Sequence, residues 1–400
     1  MKKIVFILII YFTVLKANAL SFTIQGKIEG LMPGDILTFE QISLPEYNSV
    51  LSFEVIVKEP NTFTYKGEHD NIGLYLMSYK PIGGKEPVVD RIGVEILIKE
   101  GVTLLTGTSN QIYYVHLEGG LYDNDLLQKI IQLDNSLGVK RGELFRLSNE
   151  AHIAEDFKKK QEYSDQISSF STTHELDFEK LSNLYSAFYE KYPSSSHTVI
   201  KVLSSVNYAP FESSFSRYEK MNSEAQNSYF GKILKQKLDK NAALQPGKDA
   251  PDFHLTSLDG REISLTNCAG SYVLIYHWGL CPGSFLREND LTTLHNKYKD
   301  NLIVIGITDN INLIKEQYDN SNSGEKIVGL DMKSVLESML AHPWFDSDKT
   351  GSNEKFATDY ALITLPYFVL ISPDGKIIAR DSHKAYFEAK AIIESEFGEL

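Results

Sequence analysis

From Leu20 to about Gly119 the chain alternates apolar and polar residues with the two-residue period of half-buried strands. Phe22, Ile24, Gly26 and Ile28 fall on one face, and Thr23, Gln25 and Lys27 on the other. Residues 36–39, 62–65, 74–79, 94–99 and 102–105 continue the pattern, the first of them after a Gly34-Asp35 turn. The last two flank Glu100-Gly101, a spacing that predicts a tight hairpin. An all-β sandwich or small barrel over residues 20–119 follows.

The period then lengthens to three or four residues. Leu126, Leu127, Ile130, Ile131 and Leu133 share one helix face, as do Leu181, Leu184, Tyr185 and Phe188. Tyr192-Pro193-Ser194 interrupts the pattern, and Ser195 or Ser196 is placed to cap a helix over 199–203. Charge runs such as Lys158-Lys159-Lys160 read as solvated helix faces. Residues 120–243 therefore form a helical linker domain that carries no recognisable chemistry and joins and orients the two ends.

Pro246-Gly247-Lys248-Asp249-Ala250-Pro251 reads as a linker. Beyond it, strands at 273–277 and 302–307 alternate with helices over 283–298 and 311–318. Strands at 367–371 and 376–379 close a hairpin around Ser372-Pro373-Asp374-Gly375, and a helix over 385–397 ends the chain. The fold class is multidomain: all-β, then helical, then an α/β domain over 244–400.

At 400 residues the chain is too long for one ordinary core. With 42% hydrophobic and 23% charged residues it is globular in composition. A net charge of −13 argues against nucleic acid as a partner, because phosphate neutralisation needs a basic face. Lys2 and Lys3, an apolar run from Ile4 to Leu15 and the small-x-small motif Ala17-Asn18-Ala19 read as a signal peptide over 1–19. The run falls short of the ~20 residues that span a bilayer, so membrane contact is through this signal only. Cleavage after Ala19 predicts delivery to the periplasm or cell envelope. That is an oxidising compartment, yet Cys268 and Cys281 are the only cysteines, which excludes a disulfide scaffold. Nothing in the pattern calls for a metal or a cofactor.

Several segments of the last third carry a resemblance. They are residues 247–253 (GKDAPDF), 258–265 (LDGREISL), 273–278 (VLIYHW) and 365–376 (LPYFVLISPDGK). They resemble exported thioredoxin-like thiol-disulfide oxidoreductases of the alkyl hydroperoxide reductase/thiol-specific antioxidant superfamily, including members with an uncharacterised strand-rich N-terminal domain. The resemblance implies a thioredoxin-like fold, a cis-proline loop at Pro366 that touches the reactive thiol, and chemistry centred on Trp-x-x-x-Cys-x-x-Cys. This chain has Trp278-Gly279-Leu280-Cys281-Pro282-Gly283-Ser284-Phe285. If Cys281 matches the first family cysteine, Ser284 replaces the second. If Trp278 and Arg287-Glu288-Asn289 are aligned without a gap, the two cysteines fall on Pro282 and Phe285. Neither register leaves a dithiol.

The residues themselves favour Cys281. Proline is preferred at the first position of a helix, so Pro282 predicts Cys281 at the N-cap, where unpaired backbone donors stabilise a thiolate. Ser284 lies within one turn, in reach of that thiolate. Cys268 precedes the strand that Cys281 follows; some seven residues at ~3.3 Å separate them by about 20 Å, beyond the ~7 Å a disulfide tolerates. Cys268 is expected to be structural, and His277 a hydrogen-bonded core residue rather than one whose ring faces Cys281 and lowers the thiol's pKa. A peroxidase would need Pro-x-x-x-Thr-x-x-Cys, whereas His277 and Trp278 stand four and three residues before Cys281.

Two functions are open on these residues. One is monothiol thiol-disulfide exchange acting on protein or small-thiol disulfides and resolved by an external thiol reductant. The other is a non-catalytic thioredoxin-fold binding module that has lost the redox dithiol.

Overall fold

The alternation in the first strand is a burial pattern: in β1 (Leu20–Glu29), Phe22, Ile24, Gly26 and Ile28 are the buried positions. The computed structural model describes residues 20–43, 48–69, 71–84, 91–207, 209–321, 326–327, 329–350 and 353–398. Residues 1–19, read above as a signal peptide, lie outside them. Among the described residues no helix is long and apolar enough to cross a membrane. The chain divides into two compact units, one up to Lys235 and one from Gln236.

In the first unit, β2 (Ile36–Ser43), β3 (Asn48–Ile56), β4 (Thr62–His69), β5 (Gly73–Lys80), β6 (Val94–Ile98), β7 (Gly101–Thr108) and β8 (His116–Glu118) follow β1. They make two four-stranded sheets, ordered β4-β1-β7-β8 and β3-β2-β5-β6. Aromatic rings join them: Phe22 on β1 lies 6.1 Å from Phe53 on β3 and 6.4 Å from Tyr75 on β5. Glu100-Gly101 does not close the expected hairpin. β6 pairs antiparallel with β5, while β7 runs parallel to β1, so this turn carries the chain from one sheet to the other. A local turn signal sets a change of direction; it does not set which strand comes next to which.

The helices of this unit are α1 (Asp125–Ile153), α2 (Phe157–Ser168), α3 (Phe170–Thr173), α4 (Glu175–Lys191), α5 (Ser196–Ser205), α6 (Phe211–Glu219) and α7 (Ser223–Asn227); α8 (Tyr229–Ala243) continues past Lys235. Asn124 caps α1 by accepting from Leu126 N and Leu127 N, and Ser195 caps α5 by accepting from Thr198 N at 3.1 Å. Gln128 of α1 donates to the carbonyls of Leu117 and Tyr122, both at 2.8 Å, tying the helix to the strand side.

The second unit opens with a short antiparallel pair, β9 (His254–Thr256) and β10 (Glu262–Ser264). β11 (Tyr272–Trp278) leads to α9 (Pro282–Phe285) and α10 (Glu288–Tyr298), then β12 (Leu302–Thr308) and α11 (Ile311–Asn320). A two-residue ribbon, β13 (Lys326–Ile327) and β14 (Leu330–Asp331), precedes α12 (Met332–Leu340), β15 (Phe345–Asp348) and α13 (Glu354–Asp359). β16 (Tyr367–Ile371), β17 (Ile377–Asp381) and α14 (Lys384–Phe397) complete it. The main sheet runs β15-β12-β11-β16-β17; β11, β12 and β15 are mutually parallel, and β16 runs against β11 and β17 against β16.

Every residue of β11 is buried, as befits a central strand covered on both faces. Tyr272, Leu274, Tyr276 and Trp278 enter the core shared with α10, α11, α12 and α14, while Val273 and Ile275 enter the opposite core with Leu244, Phe253 and α13. This is the thioredoxin-like arrangement. The segment read as a linker is itself fastened to the sheet edge. Asp249 pairs with Lys376 at 2.7 Å, and Gly247 N and Ala250 N donate to the carbonyls of Ile377 and Gly375.

Candidate active site

The C-terminal end of β11 delivers the chain into Gly279-Leu280-Cys281, the position where open α/β sheets present ligands and chemistry. Cys281 has the extended backbone of an N-cap (φ −142°, ψ 151°), and Pro282 is the first residue of α9. Its sulfur accepts from Ser284 N at 3.4 Å, and Ser284 Oγ lies 3.2 Å from it. Ser284 is fully buried; Cys281 is half-buried and reachable. Gly279 N donates to Ser284 Oγ at 3.3 Å. The hydroxyl thus accepts from Gly279 N and lies within hydrogen-bond reach of the sulfur, where it can donate to a thiolate or accept from a thiol.

Pro366 stands over the same turn. The Leu365–Pro366 bond is cis. A side chain at Gly283 would lie 2.6 Å from Pro366 Cδ, and one at Gly279 would lie 2.8 Å from the Leu365 side chain. The glycines on either side of Cys281 are thus what allow this loop to close on the thiol segment. Cys281, Ser284 and Pro366 come together at one spot.

Cys268 does not join them. It ends a short helical turn before β11, buried, with its Sγ donating to Ser264 O at 3.3 Å, and burial pushes its pKa up to about 11. His277 is a fully buried core residue, with Nδ1 2.7 Å from Thr364 O and Nε2 3.0 Å from Asp309 Oδ1. Burial lowers its pKa, and the Asp309 carboxylate partly offsets this.

Below the thiol segment lies a polar cluster that no sequence spacing announces. His342 sits between two carboxylates, with Nδ1 2.9 Å from Asp346 Oδ2 and Nε2 2.8 Å from Glu288 Oε2. Trp278 Nε1 donates to Asp346 Oδ1 at 2.8 Å, and Tyr276 Oη donates to Glu288 Oε1 at 3.2 Å. Tyr276 Oη is also 3.4 Å from Ser284 O, which links the cluster to the turn that holds Cys281. Burial opposes a charged His342, but its bonds to Asp346 and Glu288 prevail and hold its pKa up at about 9. Both ring nitrogens face acceptors only, so geometry and charge agree on the imidazolium. The members come from positions 276 to 346 on β11, α10, β15 and the loop after α12, a scatter that only the fold assembles.

Known proteins share this domain. Residues 246–380 match the AhpC/TSA family. The C-terminal unit carries an AhpC/TSA family domain. Within curated relatives, the chain is 33% identical over 113 residues to a Helicobacter pylori protein named as a candidate peroxiredoxin, Bcp; this covers 28% of the chain and 64% of that relative. It is 29% identical over 140 residues to the thiol-disulfide oxidoreductase ResA of Bacillus thuringiensis, covering 35% of the chain and 70% of ResA. The chain thus spans just under two thirds of the length of the first relative. Among solved structures, the AhpC/TSA domain is similar to the thioredoxin domain of a thiol-disulfide oxidoreductase from Bacteroides vulgatus. The identity is 21% and the TM-score 0.28, over 38% of this chain and 99% of that one. A thiol:disulfide interchange protein from a Bacteroides species gives 21% identity and a TM-score of 0.30, over 38% of this chain and 91% of that one.

Proposed function

We propose that the AhpC/TSA domain carries out thiol-disulfide exchange in the cell envelope through the single thiol of Cys281. The observation that carries this reading is the setting of the Cys281 sulfur. It is half-buried at an N-cap, with Ser284 N and the Ser284 hydroxyl both directed at it. The Cys281 thiolate attacks one sulfur of a substrate disulfide, R–S–S–R′. A bond forms between Cys281 and R–S, the S–S bond breaks, and R′–S⁻ leaves with the electron pair. An external thiol then attacks the Cys281–S–S–R bond, takes R–S into a new disulfide and returns Cys281 as a thiolate. No internal second thiol is required, and the net reaction is exchange. Pro366 packs on Gly283 and serves as the edge against which the substrate strand lies. The short reach from Cys281 to position 284 supports the register in which Ser284 replaces the second family cysteine.

Envelope location rests on Lys2-Lys3, the apolar run and Ala17-Asn18-Ala19. A mature form starting at Leu20 in the envelope fraction, measured by mass spectrometry, is the expected result. For the chemistry, the deciding assay is exchange between a mixed-disulfide substrate and glutathione. Wild type catalyses it and Cys281→Ser does not. An inert Cys281 would leave the binding-module reading, with the Pro366 loop as a peptide-holding surface.

A further inference from the structure

The loop that delivers Pro366 to the thiol is held from behind by charges that the exchange chemistry does not use. His277 is near the end of β11, Asp309 follows β12 and Lys349 follows β15, so three adjacent parallel strands each contribute one side chain. Lys349 Nζ lies 2.6 Å from Asp309 Oδ1 and donates to Leu362 O, also at 2.6 Å. His277 Nε2 lies 3.0 Å from the same Asp309 oxygen, and Nδ1 lies 2.7 Å from Thr364 O. The two backbone carbonyls that bracket Ile363 are therefore tied to one charged cluster, while Ile363 itself is 48% exposed. Directly after Thr364 come Leu365 and Pro366, which pack on Gly279 and Gly283 on either side of Cys281.

Hydrogen bonds from surface side chains to loop carbonyls are common and weak. This cluster differs on two counts. His277 is fully buried on the central strand, so its ring cannot swing away without opening the core. A carbonyl can only accept, so Nδ1 must carry a proton whatever the charge of the ring. Lys349 is anchored in turn, because its backbone N donates to Thr308 O at 2.8 Å. Asp309 lies between the two side chains, and the contacts with His277 and Lys349 hold its carboxyl well below the usual range.

We infer that His277, Asp309 and Lys349 are positioning residues that clamp the Leu362–Thr364 backbone and so fix the face that Leu365 and Pro366 present beside Cys281. The functional part of this inference rests on the exchange reading above; the mechanical part does not. The clamp touches neither the thiol nor the bonds that are made and broken. Its loss is therefore expected in substrate binding rather than in the intrinsic reactivity of Cys281.

The test uses full-length His277→Phe, His277→Asn and Lys349→Met, with three readouts. Amide hydrogen exchange over residues 361–367 reports the clamp directly. In His277→Phe it should rise about tenfold, the worth of one buried hydrogen bond. His277→Asn keeps a donor where Nδ1 was and should stay within about threefold of wild type. Lys349→Met, at a side chain only 21% exposed but outside the core, should loosen the Leu362 end and guards against a folding failure of the first variant. In the exchange assay KM should rise about tenfold with kcat within about twofold, and iodoacetamide should modify Cys281 at the wild-type rate. Unchanged amide exchange in both His277→Phe and Lys349→Met overturns the clamp. A loosened loop with unchanged KM overturns its positioning role. A wild type inactive in exchange sinks the thiol-exchange reading, and with it the positioning role, while the amide data still decide the clamp.

Discussion

Ser284 Oγ lies 3.2 Å from Cys281 Sγ while accepting from Gly279 N, so a fully buried hydroxyl stands within hydrogen-bond reach of a half-buried sulfur. In the register proposed above, the pair stands where a dithiol would, with one sulfur replaced by oxygen. Ser284→Cys should restore the second sulfur at a site already in contact. Under mild oxidant the variant should close an internal disulfide, lose both free thiols at these positions and become two hydrogens lighter by mass spectrometry. Its exchange activity should then convert to dithiol reduction. If the introduced thiol stays reduced beside an oxidant, the turn cannot bring the two sulfurs to bonding distance.

The two native thiols should separate sharply by reactivity. Cys268 is buried, with its pKa pushed up to about 11, so at pH 8 only about one molecule in a thousand presents its thiolate. Timed alkylation of the folded protein, followed by peptide mapping, should label Cys281 at least about a hundredfold faster. Thiol counting under denaturing conditions without reductant should find both free. Equal labelling rates would remove the basis for assigning the chemistry to Cys281.

Gly283→Ala sets two effects against each other. Alanine in a helix gains up to ~1 kcal/mol over glycine. The new methyl would lie 2.6 Å from Pro366 Cδ, and overpacking of that kind costs ~1–3 kcal/mol. The clash should win: a modest fall in thermal stability and a loss of exchange activity of about tenfold, as Pro366 is pushed off the thiol turn. Wild-type activity in Gly283→Ala would show that the Pro366 contact is dispensable.

His342 makes stability depend on alkaline pH. Its folded pKa of about 9 stands above the ordinary ~6.5 of the unfolded chain, so the folded state binds the extra proton. The resulting stabilisation is complete below pH ~6.5 and is lost as pH rises through about 9, on the order of 3 kcal/mol in all. His277 acts in the opposite sense: its lowered pKa withdraws stability as pH falls through ~6.5. Chemical denaturation should therefore show a maximum near neutrality, with the alkaline limb abolished in His342→Gln. A second readout is built in, because the two tryptophans of the chain, Trp278 and Trp344, both contact the His342 ring, at 4.6 and 4.3 Å between centroids. Imidazolium quenches indole, so fluorescence should rise with a midpoint near pH 9. A midpoint near the ordinary ~6.5 would mean that the carboxylates do not hold the proton.

Those elements whose periodicity coincides with burial were legible in the sequence. β1, β11, β12, the β16–β17 hairpin and α14 lie where alternation or helical spacing put them, and Pro282 marked Cys281 as an N-cap. β15 was not legible, because an edge strand reading Phe-Asp-Ser-Asp carries the charges of the site rather than an apolar signal. The Glu100-Gly101 turn misled for a related reason: pairing β7 with β1 joins residues about eighty positions apart, and no local pattern encodes that. The same holds for the candidate site. The thiol turn was readable because its residues are consecutive, whereas His342 with Glu288 and Asp346, and His277 with Asp309 and Lys349, exist only once the parallel strands are laid side by side.

A last consequence follows from the sealing of Cys268 within the core. Toward disulfides the folded chain has a valence of one. A monovalent unit can end a chain of cross-links but cannot extend or branch it, so each copy holds at most one disulfide partner, whether a substrate, a small thiol or a second copy. On the exchange reading proposed above, such a molecule would act as a chain stopper among disulfide-linked partners, one copy to each chain end.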